Sequence, residues 1–208
     1  MELVYSRQRE EKKAAETDDR ELALRARAGD SVAFETLVVR KTPAVVSVAR
    51  RILGDAEEAR DVAQLVFLRV WDSLARYDEK YSFNTWLYRI ATNLSIDFLR
   101  ANRSRERAHG ATLHLVRRRE AAIEEEATLS LEAAQVAQLF ETVSSGLSEK
   151  QKAAFVLREL EDLDSAEVAR VLGCRESTVR NHLFNARKAL QKRLRKDFPS
   201  LLTRWRRK

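Results

Sequence analysis

The sequence predicts an all-α fold in which two small helical domains are joined by a flexible linker. Glycine and proline are scarce, with five Gly and two Pro in 208 residues, and sheet-rich folds need many turns, where these residues are common. Apolar side chains recur every three or four residues through most of the chain, as in amphipathic helices. A length of 208 residues suits one large or two small domains.

The first domain is predicted over residues 19–103, after an N-terminal arm of mixed charge at 1–18 that we expect to be disordered. The helical apolar pattern of this domain is interrupted before Asp30, before Asp55 and near Tyr77. The carboxylates of Asp30 and Asp55 are well placed to cap the helices that follow them. Three or four helices are therefore expected.

The second domain is predicted over residues 131–197, after a linker at 104–130 that lacks a steady apolar period. Ser148 and Gln151 have the spacing of a capping box, in which two side chains satisfy the free backbone donors at a helix start. Asp164 is expected to begin a later helix in the same way.

A helix-turn-helix is the sharpest local pattern, in the segment SAEVARVLGCRESTVRNHLF at 165–184. The small Ala169 allows two helices to cross closely, and Gly173 can adopt the positive φ that ends the first helix. Val179 and Leu183 form the buried stripe of the second helix. The remaining face can reach phosphates and base edges in a major groove, and it carries Ser177, Thr178, Arg180, Asn181, Asn185 and Lys188.

Positive charge is concentrated in particular segments. Residues 175–208, which include a basic tail at 198–208, contain twelve Lys and Arg against two acids, while the whole chain has a net charge of +7. Residues 100–119 contain seven Arg and one Glu, and residues 120–142 contain six Glu and no Lys or Arg. A solvated helix surface is one explanation of each run, and polyanion binding at the basic segments is the other. The neighbouring helix-turn-helix favours DNA binding.

Several other classes of protein are not indicated. No apolar run approaches the length of a membrane span or a signal-peptide core, so we expect a cytoplasmic protein without membrane insertion. The single Cys174 cannot form an internal disulfide, and the three His are not spaced as metal ligands with it. Gly-rich phosphate loops and nucleophile–base pairs are also missing. We therefore expect no enzyme, cofactor, metal or small-molecule substrate.

Two segments of the first domain closely resemble conserved region two of the extracytoplasmic-function sigma factors, namely DAEEARDVAQLVFLRVW at 55–71 and FNTWLYRIATNLSID at 83–97. Residues 147–194 are similar to region four of that family and include LREL at 157–160. The resemblance implies an alternative sigma factor that responds to stress or another signal. Such a protein binds core RNA polymerase and promoter DNA, directs promoter-specific initiation, and is held inactive by an anti-sigma factor.

The resemblance also implies a polymerase-binding helix. In the family this helix docks on the clamp helices of the largest polymerase subunit, and polar residues spaced by three would present one hydrogen-bonding face to them. The sequence departs from the family at Leu65, where Glu is usual, so one charge is missing from this contact. The residues assigned to it are Asp61, Gln64, Leu65 and Arg69.

The helix from Phe83 resembles the element that reads the minus-ten promoter sequence as single-stranded DNA. Unpaired bases stack on aromatic rings while cations hold the backbone, and Asn93 matches the position whose amide lines a pocket for a flipped-out base. Trp86 falls in the apolar arc of the helix, and we expect it in the core. The implied minus-ten residues are Tyr81, Ser82, Arg89, Asn93, Arg100 and Arg103; Tyr77, Phe83 and Tyr88 are further candidate stacking rings.

Region four implies a minus-thirty-five contact by Arg180, Asn181, Phe184 and Asn185. Many relatives have a basic residue where this chain has Asn185, so a different base preference is expected there. The segment TVRNHL at 178–183 is also close to the recognition helix of LuxR-type regulators, and such a regulator is the alternative function. The first domain argues against it, because a receiver or ligand-sensing domain would include strand-length β-branched runs bounded by turns.

Overall fold

The regular structure of the described residues is entirely helical, as predicted. A computed structural model describes residue 15 and residues 18–109 and 131–199. Most of the predicted N-terminal arm, linker and basic tail lie outside these ranges.

Domain one, residues 18–109, consists of four helices. They are α1 (18–27), α2 (Ser31–Leu53), α3 (Ala56–Ser73), which continues into a short 3-10 turn at Leu74–Arg76, and α4 (Phe83–His109). Helix α4 passes Arg103, where the sequence placed the end of this domain, and ends six residues later at His109.

The predicted N-caps of α2 and α3 are confirmed. The Asp30 carboxylate accepts the N–H of Ala33 at 3.0 Å, and the Asp55 carboxylate accepts the N–H of Glu58 at 2.9 Å. The Ala33 bond, together with the guanidinium of Arg25, lowers the pKa of Asp30 below its usual value. Both helix starts are therefore determined by local sequence.

The core of domain one lies between α2, α3 and α4. At its edge Tyr77 packs on Phe83 with ring centroids 5.7 Å apart, and on Trp86 with centroids 5.3 Å apart. The Tyr77 hydroxyl donates to the carbonyl of Tyr81 at 2.9 Å. Trp86 is partly buried and packs against this core, and the aromatic cluster anchors the loop at 78–82, here called the α3–α4 loop. The main core side chains are Leu37, Val45, Leu53, Val62, Val66, Val70 and Leu87.

Domain two, residues 131–199, contains four further helices. They are α5 (Leu131–Ser144), α6 (Glu149–Phe155), which continues as a π-helical turn at Val156–Leu160, α7 (Ser165–Leu172) and α8 (Glu176–Asp197). Both predicted starts are confirmed, because Ser148 and Gln151 form a capping box and Asp164 caps α7.

The two domains also share an apolar core, which the sequence did not predict. Val48 and Ile52 of α2 and Tyr88 and Ile96 of α4 lie in one buried cluster with residues of domain two. Burial of this kind removes apolar surface from water and holds the domains together. The domain-two members are Ala153, Ala154, Val156, Leu157, Leu163, Val168, Ala169, Val171, Val179 and Leu183.

Candidate DNA-binding and polymerase-binding surfaces

Helices α7 and α8 form the predicted helix-turn-helix. Gly173 has φ 61° and ends α7, with its N–H directed to the carbonyls of Ala169 and Arg170. Val179 and Leu183 of α8 are buried, and Ala169 of α7 is buried in the same apolar cluster. The turn and the buried stripe leave one long face of α8 on the surface.

The predicted minus-thirty-five residues all lie on this outer face of α8. Asn185 is half-buried and donates to the side-chain carbonyl of Asn181 at 3.1 Å, so the two amides form one polar unit. Phe184 beside them is 64% exposed, which is unusual for so large an apolar ring. Ser177, Thr178, Arg180, Asn181 and Lys188 are also exposed.

A groove of ≈ 610 Å³ lies beside α8. Its walls include Arg158 and Arg187, which sequence reasoning did not select. Arg187 bonds to Glu159 at 2.5 Å, and Arg158 lies on the π-helical turn. For Arg187 the available signal was the excess of Lys and Arg in α8, seven against two acids; the sequence around Arg158 is acidic and gave no such signal.

The predicted polymerase-binding residues share the exposed face of α3. Asp61, Gln64 and Arg69 are exposed, and Leu65 is 48% exposed. The residues assigned from the sequence are therefore on one accessible surface.

Two large apolar side chains on the same face were missed by the sequence reasoning. Leu68 is 62% and Trp71 47% exposed, and the Trp71 ring meets that of Phe34 with centroids 4.7 Å apart. With Leu65 they make a stripe at intervals of three residues. The sequence signal that could have identified them is that α3 has more large apolar residues than a single buried face of a helix needs. A grouped apolar patch of this kind marks a protein-binding surface.

The minus-ten candidates fall into two groups. Asn93 and Arg89 are exposed on α4, and Tyr81 is 46% exposed in the α3–α4 loop. Ser82 is half-buried, and its hydroxyl accepts the N–H of Thr85 at 3.1 Å, which caps α4. These side chains define one patch at the start and middle of α4.

Three rings that the sequence suggested for base stacking are not accessible. Tyr77, Phe83 and Tyr88 are 2%, 1% and 8% exposed, so the interpretation of these three as stacking platforms is wrong for this arrangement. Tyr77 and Phe83 lie in the core of domain one, and Tyr88 lies in the apolar core that the two domains share. Burial, followed by the nearby carboxylate of Glu161, raises the pKa of Tyr88 well above its usual value.

The other two arginines of the minus-ten group contact domain two. Arg100 donates to Glu149 at 3.2 Å and Arg103 donates to the same carboxylate at 2.7 Å. Both pairs are partly exposed, so each contributes little to stability.

Within the described ranges, no cluster of three or more His, Cys, Asp or Glu side chains is arranged to hold a metal ion. No helix in these same ranges is long and apolar enough to span a bilayer. Cys174 is half-buried in the turn between α7 and α8, and burial raises the pKa of its thiol.

A helix-turn-helix with a basic outer face, beside a helical domain with an exposed apolar patch, defines a DNA-binding transcription protein with a protein partner. Residues 37–105 match the family model "Sigma-70 region 2", and residues 137–190 match "Sigma-70, region 4". The chain belongs to the sigma-70 family of RNA polymerase sigma factors, in its extracytoplasmic-function group. It is a transcription initiation factor, an alternative sigma factor that directs transcription.

The relatives match over nearly their whole length. The chain is 32% identical to the RNA polymerase sigma-H factor of Pseudomonas aeruginosa, over 85% of this chain and 93% of that protein. It is also 32% identical to the ECF RNA polymerase sigma-E factor of Escherichia coli, over 85% and 94%. Among solved structures, CnrH in complex with the cytosolic domain of CnrY has a TM-score of 0.63 and 28% identity, over 86% and 99%. The region 2 match disfavours the LuxR-type alternative.

Proposed function

We propose that domain one, with its boundaries near 19–103, binds core polymerase and reads the minus-ten element, and that domain two, near 131–197, reads the minus-thirty-five element. The observation that carries the proposal is the outer face of α8, which has exposed amides and guanidiniums beside a buried stripe and a net positive charge. Side chains of these types recognise base edges and phosphates. The segments 1–18, 104–130 and 198–208 then act as arm, linker and basic tail.

Run-off transcription tests this function directly. Purified core polymerase is incubated with a genomic promoter library, with and without the full chain, and the transcripts are sequenced. We expect a set of new start sites that share two upstream elements. The absence of any promoter-dependent gain would contradict the proposal.

The proposed polymerase contact is the exposed face of α3, with the apolar stripe at its centre and polar side chains around it. An interface needs a desolvated apolar centre, and rim polar groups set its orientation. The residues proposed are Asp61, Gln64, Leu65 and Arg69, to which the apolar patch adds Leu68 and Trp71.

Replacing Asp61 and Gln64 together by alanine is expected to weaken binding to core polymerase by about ten-fold, because two interfacial hydrogen bonds are lost. Both side chains are exposed, so the circular dichroism spectrum and thermal midpoint should stay unchanged. The matched control is Gln138→Ala, which removes an exposed amide from α5. Equal affinity of the double variant and this control would remove Asp61 and Gln64 from the interface.

The proposed DNA contacts follow the two exposed patches. For the minus-ten element they are Tyr81, Ser82, Arg89, Asn93, Arg100 and Arg103. For the minus-thirty-five element they are Ser177, Thr178, Arg180, Asn181, Phe184, Asn185 and Lys188.

Two cations of α8 are expected to act differently on duplex binding. Arg180→Ala should change the preference among minus-thirty-five sequences by about 1–3 kcal/mol, because a base contact is lost. Lys192→Ala should weaken binding to all sequences alike and reduce the slope of log affinity against log salt by about 0.9, because one phosphate contact is lost. Titrations of the full chain at several salt concentrations measure both. A sequence-independent effect of Arg180→Ala would assign that residue to the backbone.

An anti-sigma factor is the further partner that we propose. CnrH, which shares this fold, is in complex with the cytosolic domain of CnrY, and the apolar patch on α3 offers a protein-binding surface. Masking that patch would keep the chain from polymerase until a signal arrives. We further propose that the chain acts on polymerase in the cytoplasm, by binding without catalysis.

A further inference from the structure

The α3–α4 loop carries Tyr81, an exposed ring that we assign to minus-ten recognition. The Tyr81 side chain is 46% exposed, so its position relative to DNA depends on how the backbone of the loop is held. The Tyr81 carbonyl accepts the hydroxyl of Tyr77 at 2.9 Å, and the Tyr81 N–H donates to the carbonyl of Asp78 at 3.1 Å. Both backbone polar groups of Tyr81 are therefore held by the two residues at the beginning of the loop.

Tyr77 is fixed in the core of domain one. Its side chain is 2% exposed, and its ring packs on Phe83 and Trp86. Burial raises the pKa of the Tyr77 hydroxyl above its usual value, so the phenol keeps the proton that it donates. Because packing holds the ring in one orientation, the hydroxyl at its end fixes the carbonyl that it bonds. A buried side chain thus sets the position of the exposed Tyr81.

Helix α1 supports the loop from a second direction. Arg27 donates to the carbonyl of Tyr77 at 3.2 Å, and Arg20 donates to Glu79 at 3.1 Å. The two arginines are seven residues apart, close to two helical turns, so they lie on one face of α1. Both partners of the Arg20 pair are exposed, so this pair adds little. The Arg27 bond is charge-assisted, and it holds the same residue whose hydroxyl holds Tyr81.

Helix α1 is anchored to domain one by buried groups. The Asp19 side chain is 1% exposed and pairs with Arg40 at 3.3 Å and with Lys41, both on α2. Leu22 and Ala26 of α1 are buried in the core of domain one. A buried carboxylate needs such partners to offset the loss of its hydration. Helix α1 therefore has a defined position from which Arg27 reaches the loop.

We propose that Tyr77 and Arg27 are positioning residues for minus-ten recognition, and that their bonds hold the α3–α4 loop preformed to receive an unstacked base of single-stranded DNA. The inference rests on the proposed function, which assigns Tyr81 and Asn93 to that base. A preformed loop avoids the entropic cost of ordering on binding. Discrimination between bases also requires the contacting groups to stay within about 0.5 Å of one geometry. A loosened loop would accept several bases alike.

Removal of one oxygen atom tests Tyr77. Tyr77→Phe removes the hydroxyl that bonds the loop and leaves the ring in the core. Tyr88→Phe is the matched control, because it removes the same atom from a ring that is 8% exposed and that bonds to Glu161 instead of the loop. Thermal midpoints and binding to core polymerase are measured for both variants of the full chain.

Base discrimination is measured with the holoenzyme, the complex of core polymerase with the full chain. The probe is a promoter found by the run-off screen, in its original form and with each minus-ten position changed in turn. The yield of open complex on each promoter gives the preference at that position. 2-Aminopurine placed at each minus-ten position becomes fluorescent when it leaves the stack, so it reports capture of the flipped base.

Tyr77→Phe is expected to reduce discrimination at one minus-ten position by about three- to ten-fold, the usual effect of one hydrogen bond. The 2-aminopurine signal should fall at the same position, because the loosened loop holds the base less well. Binding to core polymerase should stay unchanged. Tyr88→Phe should keep the base-preference profile of the wild type.

Arg27 is tested in the same assay with Arg27→Met, Arg27→Lys and Arg25→Met. Arg25 is on the same helix but donates to Asp30, the N-cap of α2, at 2.7 and 3.0 Å. Both methionine variants lose one positive charge, so an effect that they share is nonspecific attraction to DNA. Arg27→Met should lower discrimination about three-fold at the position affected by Tyr77→Phe. Arg27→Lys keeps a charged donor and should restore most of it.

A wild-type preference profile in Tyr77→Phe would overturn the proposal. Equal losses at every minus-ten position would also overturn it, because Tyr77 would then be a structural residue only. Equal behaviour of Arg27→Met and Arg25→Met would overturn the role of Arg27. In all three cases the wild-type holoenzyme still discriminates between minus-ten bases. A wild-type holoenzyme without such discrimination would instead refute the proposed minus-ten function, and this inference with it.

Discussion

Replacing Phe83 with alanine is expected to lower the free energy of unfolding by about 3–5 kcal/mol, the usual cost of deleting a buried aromatic ring. The Phe83 side chain is 1% exposed, meets Tyr77 edge to face and lies 5.8 Å from Trp86 between ring centroids. These rings belong to one core cluster, so the deletion leaves a cavity at the start of α4. For a chain of this size the thermal midpoint should fall by about 10 °C.

Phe184 provides a matched control, because it is the same residue type at a position that is 64% exposed. Phe184→Ala should change the free energy of unfolding by no more than about 0.5 kcal/mol, as surface substitutions usually do. It should nevertheless weaken binding to minus-thirty-five duplexes, since an exposed ring on α8 can contact a thymine methyl group. Calorimetry and fluorescence anisotropy give the two quantities. Equal thermal midpoints for the two variants would contradict the core assignment of Phe83.

Asn93→Ala is expected to change which minus-ten base is tolerated, with a loss of discrimination of about 1–3 kcal/mol at one position, the size of a good amide–base contact. An amide offers both a donor and an acceptor, as a base edge requires. Asn93 is exposed on α4, and no hydrogen bond of its side chain is found within residues 18–109 and 131–199. The amide is therefore available to DNA, and its removal should leave the thermal midpoint unchanged.

Permanganate footprinting of open complexes, on promoters varied at each minus-ten position, measures this effect. Asp97→Ala is the control on the same helix, one turn later and also exposed. It should keep the base-preference profile of the wild type, and both variants should bind polymerase normally. An unchanged profile in Asn93→Ala would defeat the recognition role. A lower thermal midpoint with equal losses at all promoters would instead make Asn93 a structural residue.

The parts of the fold that short-range signals encode were predictable. Asp30, Asp55 and Ser148 were identified as helix caps because the donor that each one satisfies lies three residues away in the sequence. Gly173 was identified as the turn of the helix-turn-helix because only glycine adopts its positive φ without strain. The outer face of α8 followed from the buried Val179 stripe by helical periodicity alone.

The candidate site was only partly predictable, because a residue type does not reveal its exposure. Tyr77 and Phe83 have the rings that base stacking needs, yet they complete a core. Leu68 and Trp71 have core-type side chains, yet they lie on the surface of α3. Periodicity assigns residues to faces of a helix, but the width of the buried face depends on which helices pack around it.

The sequence by itself determined the all-α class, the helix starts and the helix-turn-helix, since each depends on residues within one or two helical turns. Only the tertiary structure decided that domain two rests on the α3–α4 loop. The contacts responsible join Thr85 to Glu167 and Arg51 to Glu161, residues 82 and 110 positions apart. Contacts at such separations are set by the packing of whole helices on a shared apolar core, and no local pattern specifies them.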